Sequence, residues 1–248
     1  SAPVTAFVAT VSKGGMMALL VRFFTMINGH QYPALVWVFT VIAITSMFTG
    51  NFLALRQNNI KRLLAYSSIA HIGYLLVAFI AGGKIGIEAV NFYLVAYFIT
   101  TTGAFGILAT LSDKDRDAEM LEDYSGLFWT RPWTAAIFTA MLLSLAGIPL
   151  TAGFIGKFYL VAAGVKTHQY LLVVMLALNS AIGLYYYIRI IATMFVPYET
   201  GKRHSEQLNP SIYIVSGVNL AILTLLLVWI GVNPNAIMVL IQNMGGLD

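Results

Sequence analysis

The sequence predicts an all-α, polytopic transmembrane helix bundle of about seven spans, one of them broken. Three observations carry this reading. Hydrophobic residues make up 59% of the 248 positions and charged residues only 10%. A soluble domain carries about 25% charged residues, so this chain has too little charge to cover a surface facing water. Apolar runs near the ~20 residues that one helix needs to cross ~30 Å of hydrocarbon follow one another, separated by short polar joints. One run, 131–163, is too long for a straight crossing and holds Gly147, Pro149 and Gly153 in its middle, LAGIPLTAG. Proline removes a backbone donor and clashes with the preceding turn, so this run is expected to be two half-helices joined by a short unwound piece. The strand-like alternation of about ten residues per segment that marks an outer-membrane barrel is absent.

In order, the spans fall at 3–25, 33–55, 59–80, 88–111, 131–163, 169–196 and 211–232, with 233–244 as a short interfacial helix. The joints between them alternate sides. Those at 56–62, 112–131 and 197–210 carry eight basic residues: Arg56, Lys61, Arg62, Lys114, Arg116, Arg131, Lys202 and Arg203. Those at 26–32, 81–87 and 164–168 carry two, Lys84 and Lys166. Lysine and arginine accumulate in cytoplasmic loops, which puts the first group inside and the C-terminus outside. Six of the ten acids crowd into 113–123, as a solvated loop or a docking surface for another subunit. Trp37, Trp129 and Trp133 fall near span ends, where aromatic belts form.

Composition also removes several function classes. There is no cysteine, hence no disulfide and no cysteine-held iron–sulfur cluster in this chain. No glycine-rich nucleotide motif follows a strand, and no histidines pair at metal spacing. The net charge of +4 fits basic loops against an anionic membrane surface and does not call for nucleic acid.

Three ionisable residues lie deep in spans. Lys13 follows Pro3 by about 15 Å of helix, half the hydrocarbon depth. His71 sits at a similar depth in the third span, and Lys157 just after the break. A charge at the centre of a spanning helix costs about 2.5–3.5 kcal/mol on insertion scales. Arg22 and Arg189 lie close enough to helix ends to snorkel; Lys13 and Lys157 do not. As structural counter-ions the two lysines would need carboxylates, yet apart from Glu88 at a helix entrance every acid lies in a loop or near a terminus. The functional alternative is proton carriage. A buried amine exchanges protons near neutral pH because a low-dielectric site disfavours its charged form, and histidine titrates there already. Two like charges about 10 Å apart at an effective dielectric of ~20 repel by roughly 1.7 kcal/mol, so charging one site can discharge its neighbour. Ser67, His71 and Tyr74 share one helix face at i, i+4 and i+7. Thr100, Thr101, Thr102, Asn179 and Ser180 lie inside other spans, where they could hold waters or bond helix to helix.

The stretches NIKRLLAYSSIAHIGYLLVAFIAGG (59–83), LSLAGIPLTAGFIGKFYLVAAGV (143–165), SAIGLYYYIRI (180–190) and PVTAFVATVSKGG (3–15) closely resemble the antiporter-like membrane subunits of respiratory complex I, the proton-translocating NADH:quinone oxidoreductase, of the subunit N (ND-two) type. The resemblance covers essentially the whole chain and corresponds to the second half of a fourteen-helix subunit, from helix eight to helix fourteen. It implies one membrane domain over 1–248: a helix with Lys13 in 1–32, the second five-helix inverted repeat in 33–197, and the last helix and tail in 198–248. It makes Lys157 the channel lysine of the second broken helix, with Gly147 and Pro149 at the break. Lys13 becomes the connecting lysine and His71 the polar residue of the central hydrophilic axis, with Ser67 and Tyr74 in support. The glutamate and lysine of the family's first repeat are not in these residues. The implied setting is the bacterial inner membrane, with the C-terminus periplasmic and other membrane-arm subunits as partners. The complex as a whole would use NADH, FMN, iron–sulfur clusters and quinone; this chain would hold no cofactor and bind no NADH directly. The same pattern also fits a subunit of a multisubunit cation/proton antiporter or of a membrane-bound hydrogenase arm, or a scaffold that holds such an arm together.

Overall fold

The computed structural model describes residues 2–112, 118–197 and 210–244. The fold is the predicted one: 88% helix and, among the described residues, no strand. The first crossing is α1 (Ala2–Phe7), a π-helical stretch Val8–Ser12 and α2 (Lys13–Met26), running on without a break. Next come α3 (Pro33–Leu55), α4 (Ile60–Ala81) and α5 (Gly83–Leu111). After a short α6 (Leu127–Thr130), the predicted broken span is found as α7 (Pro132–Ala146) and α8 (Ala152–Lys166). Then follow α9 (Tyr170–Phe195), α10 (Pro210–Val232) and α11 (Asn235–Met244). The last two helices meet at a bend of 88°, so the tail beyond 233 is helical, as expected.

Five helices among the described residues are each long and apolar enough to cross a membrane. Counting the bent pair α10–α11 as one span makes six, against the seven predicted; α7 is a shorter apolar helix, because the break at 147–151 divides the fifth predicted span. One boundary differs: α5 begins at Gly83, not at 88. Gly82 and Gly83 both sit at positive φ (65° and 59°), conformations that only glycine enters freely. They turn the chain within two residues, so no polar joint is needed and Lys84 stands in the first turn of α5.

The centre of the bundle is α4. Of its apolar window 78% is buried, against 33% for α3 and for α9. An α-helix that is apolar on every side belongs in the middle of a bundle, and α4 is flanked by α3, α5, α8 and α9.

On the side of the basic joints, residues 118–124 clasp the start of α4. Ile60 N–H donates to the Glu119 carbonyl (2.6 Å) and Leu121 N–H to the Asn58 carbonyl (2.8 Å). Lys61 pairs with the Glu119 carboxylate at 2.6 Å, whose other oxygen takes the Asn59 amide at 2.7 Å. Tyr124 is fully buried and donates to the Ala118 carbonyl at 2.9 Å. Burial, with Asp123 and Glu119 nearby, holds its phenol well above the ordinary range, so it stays a neutral donor. This half of the acidic loop is therefore pinned to the bundle rather than freely solvated. Residues 113–117, and Lys202 and Arg203 in the joint at 197–210, lie outside the described residues. Trp37, Trp129 and Trp133 are all exposed, as belt residues should be.

Candidate functional site

The break is made by its sequence and then sealed. The last four carbonyls of a helix have no intrahelical donor, and in a membrane each must find one. In α7 those are Leu143, Ser144, Leu145 and Ala146. Gly147 N–H reaches the Leu143 and Ser144 carbonyls (3.0 Å each) and Ile148 N–H also reaches Leu143 (3.0 Å). The other two are taken by the Lys157 ammonium, at 3.0 Å from the Leu145 oxygen and 2.9 Å from the Ala146 oxygen. Its third bond goes to the Ser180 hydroxyl on α9, at 2.8 Å. An ammonium has three donors, and all three are used.

The position of Lys157 depends on Gly147. With φ at 83° the glycine turns the chain out of α7, and a Cβ there would lie 2.8 Å from the lysine Cδ. On the far side of the break, Thr151 caps α8 by accepting from Phe154 N–H (3.4 Å), while Gly153 N–H donates to the Ser144 hydroxyl (3.1 Å). A cation at a helix C-terminus also meets the negative end of the helix dipole. Lys157 is 8% exposed and lies 5.3 Å from the centre of the Tyr74 ring.

His71, 3% exposed, lies in a cage of tyrosines. Its Nδ1 meets the Tyr93 hydroxyl at 2.6 Å and its Nε2 the Tyr187 hydroxyl at 3.2 Å. The rings of Tyr74 and Tyr97 pack against it at 5.3 and 5.1 Å between centroids. Behind Tyr74, the Asn51 amide donates to the Tyr74 hydroxyl (3.2 Å) and to the Asn179 side-chain oxygen (3.0 Å), and its own oxygen accepts from Tyr186 (2.9 Å). Lys13, half-buried, donates to the Ser68 hydroxyl.

Ser68, His71 and Tyr74 follow one another along α4 in steps of three, about 4.5 Å of rise and −60° of turn each. Lys13 and Lys157 thus reach α4 near the two ends of one short polar ladder. Lys13, His71, Tyr74 and Lys157 lie along this ladder. Of the two serines, Ser67 gives its hydroxyl to the Leu64 carbonyl (2.9 Å) and neighbours the Tyr187 phenol, while Ser68 meets Lys13. Tyr93, Tyr187, Asn51 and the Leu145–Ala146 carbonyls were not foreseen as site groups; the run YYY at 185–187 was their one visible trace. Among the described residues, neither lysine meets a carboxylate, so both rest on neutral oxygens.

Comparison with known proteins shows the family to which the fold belongs. Residues 1–183 match the family described as NADH:quinone oxidoreductase/Mrp antiporter, TM. NADH-quinone oxidoreductase subunit N of Methylococcus capsulatus is 51% identical over 205 residues, covering 81% of this chain and 42% of that protein. Among solved structures, respiratory complex I from Thermus thermophilus with bound aureothin contains a chain that matches with a TM-score of 0.70 at 31% identity, over 81% of this chain and 44% of that one. The membrane-bound sulfane sulfur reductase, an archaeal respiratory membrane complex, matches with a TM-score of 0.84 at 26% identity, over 98% of this chain and 49% of its counterpart. The chain thus spans about half the length of the relatives it matches. It belongs to the NADH:quinone oxidoreductase/Mrp antiporter transmembrane family.

Proposed function

We propose that this chain carries a proton-conducting half of an antiporter-like subunit in the membrane arm of an NADH:quinone oxidoreductase. The observation that carries the proposal is the polar ladder from Lys13 through Ser68, His71 and Tyr74 to Lys157, in helices otherwise apolar. Here Lys157, Lys13 and His71 are the groups that take up and release protons, with Tyr93 and Tyr187 holding the histidine between them. The break supplies the switch at Lys157. A neutral amine keeps two N–H donors for the Leu145 and Ala146 carbonyls and gains a lone pair that accepts from the Ser180 hydroxyl, so losing a proton reverses the Lys157–Ser180 hydrogen bond while both carbonyls stay satisfied. Proton release is then coupled to a turn of the Ser180 hydroxyl on α9. The redox work with NADH, FMN, iron–sulfur clusters and quinone falls to other subunits; this chain is a non-catalytic, proton-translocating part with those subunits and the bilayer as its surroundings. The bacterial origin of its relatives supports a setting in the bacterial inner membrane, and the bias of basic residues to one set of joints supports a periplasmic C-terminus.

The test is the ratio of pumped protons to electrons in the intact complex carrying Lys157→Ala or Lys13→Ala. Both variants should lower proton pumping in assembled complex. A normal ratio in both, with normal assembly, overturns the proposal. The family description, which also names the Mrp antiporter, favours a second reading, in which the same fold couples protons to another cation. Sodium-dependent transport with no NADH dependence would select it.

A further inference from the structure

α3 and α9 both pack on α4 and leave a seam between them on the outside of the bundle. Asn51 meets Asn179 and Tyr186, and further along Gln57 and Asn58 meet Arg189, so the two helices run parallel. One step back from Asn51, Gly50 lies against the α4 backbone. One step on from Tyr186, Tyr187 reaches His71 of α4. A helix turns about 100° per residue, so one step the other way, Phe52 on α3 and Tyr185 on α9 face the opposite, outer side. Phe48, Phe52 and Arg56 share that face of α3, as Leu178, Tyr185 and Arg189 share that face of α9. Val41, Phe52, Val174, Leu178 and Tyr185 are all more than half exposed, and Phe48 stacks on Phe52 at 5.8 Å. Both faces end, on the side of the basic joints, in an arginine. The Arg189 guanidinium is held by the Asn58 side-chain oxygen (2.6 Å) and the Gln57 carbonyl (3.5 Å), beside exposed Arg56. Glu119, the acid pinned to this joint, is already taken by Lys61 and Asn59.

We propose that this outer groove between α3 and α9 binds one anionic phospholipid of the leaflet next to the basic joints, its phosphate between Arg56 and Arg189 and one acyl chain along the seam. Guanidinium forks match phosphate oxygens, and basic pockets between spans on the cytoplasmic side suit anionic head groups. Tyr185 stands one turn below Arg189, about 6 Å deeper, where its phenol can donate to the ester oxygens of the lipid. Arg56 stands fifteen positions after Val41, and Arg189 fifteen after Val174, about 22 Å of helix each. That exceeds the ~15 Å that one leaflet contributes to the hydrocarbon core, so a chain anchored at the arginines keeps apolar walls to its tip. The groove suits a lipid better than another helix. Spanning helices dock through small residues, whereas these walls are valine, phenylalanine, leucine and tyrosine. Thr45, the polar residue on this face of α3, spends its hydroxyl on the Val41 carbonyl (2.7 Å). None of these groups belongs to the polar ladder, so the site is independent of the relay.

The experiment places the intact complex in phosphatidylcholine nanodiscs that contain a small share of phosphatidylglycerol with a photoactivatable group on one acyl chain. A parallel sample carries the same group on phosphatidylcholine. After illumination, labelled peptides are mapped by mass spectrometry in the unaltered complex and in Arg56→Gln, Arg189→Gln, the double variant and Arg62→Gln, a reference on the α4 side of the same joint. The glycerol lipid should label 41–56 and 174–189 well above the choline lipid. Each of Arg56→Gln and Arg189→Gln should lower that labelling roughly fivefold, the factor carried by one arginine at an anionic surface. The double variant should lower it further, and Arg62→Gln should leave it unchanged. Equal labelling by the two lipids, or full labelling of the double variant, overturns the proposal. So does a groove closed by protein, seen as no lipid label in 41–56 and 174–189 and as density of another subunit there in cryo-electron microscopy. Should Arg189→Gln fail to assemble for want of its bond to Asn58, Arg56→Gln decides the outcome.

Discussion

The two lysines of the ladder are held in opposite ways. Lys157 is enclosed, spends all three donors on named acceptors and closes the end of a broken helix. Lys13 is half-buried, rests on one serine hydroxyl and follows a π-helical stretch in a crossing that is otherwise continuous. π-Turns inside helices often mark functional positions, but the partner of Lys13 among the described residues is the Ser68 hydroxyl of another helix and not a carbonyl of this turn. The contrast teaches that one residue type, buried in one bundle, can either be part of the architecture or rest lightly beside it. Substitution should therefore separate the two in stability even where it does not separate them in pumping.

The largest effect is expected at the enclosed lysine. Lys157→Ala leaves the Leu145 carbonyl with no donor and the Ala146 carbonyl with only the long contact from the Ser180 hydroxyl at 3.5 Å, at about 1–3 kcal/mol for a buried group left unsatisfied. The variant complex should lose this subunit at a markedly lower temperature in a thermal series read by native electrophoresis. Lys13→Ala frees only a hydroxyl that can still bond the Ala65 carbonyl, and its thermal profile should lie close to that of the unaltered complex. Equal destabilisation by the two substitutions would erase the distinction.

A second effect tests the break without touching either charge. Gly147→Ala places an L-residue at φ 83°, a conformation costing roughly 1–2 kcal/mol for residues other than glycine, with its Cβ against the aliphatic part of Lys157. It should destabilise the subunit less than Lys157→Ala does, but still lower pumping, because the ammonium can no longer sit between the two carbonyls. Normal stability with normal pumping would show that the geometry around Gly147 is not what positions the lysine.

How much of this was legible in the sequence follows from the same physics. Long apolar runs locate α3, α4 and α9 within a residue or two, and Gly-Ile-Pro marks the break, because hydropathy and proline act locally. Isolated charges in apolar runs point to Lys13, His71 and Lys157 because such charges are costly wherever they lie. What stayed hidden was rotation. A helix such as α4, apolar all round, shows no periodic face that says which of Ser67 and Ser68 turns toward Lys13. The tyrosines around His71 were hidden for a related reason: a tyrosine in a span reads equally as packing, belt or hydrogen-bonding group until its neighbours are known. The partners of Lys157 could not be read at all, since two of them are backbone carbonyls that any residues at 145 and 146 would provide.

The smallest effect, and the finest test of the contrast, compares the serine partners. Ser180→Ala removes one of three acceptors at Lys157, whose other two are fixed by the end of α7; with two bonds intact the ammonium stays in place. Ser68→Ala removes the one partner of Lys13 seen among the described residues, and the side chain is then free to take other rotamers. Each substitution deletes a single hydroxyl from a helix interior, so stability should change by about 1 kcal/mol or less in both. Function should not be equal. Ser68→Ala is expected to slow pumping by several fold and Ser180→Ala only slightly, because a relay depends on the donor being held where the acceptor waits, and only at Lys13 does one hydroxyl do the holding. Proton pumping measured at matched assembly checks this. The reverse order would mean that the carbonyls at the end of α7 position Lys157 only with the help of Ser180, and that the break is less of an anchor than its geometry implies.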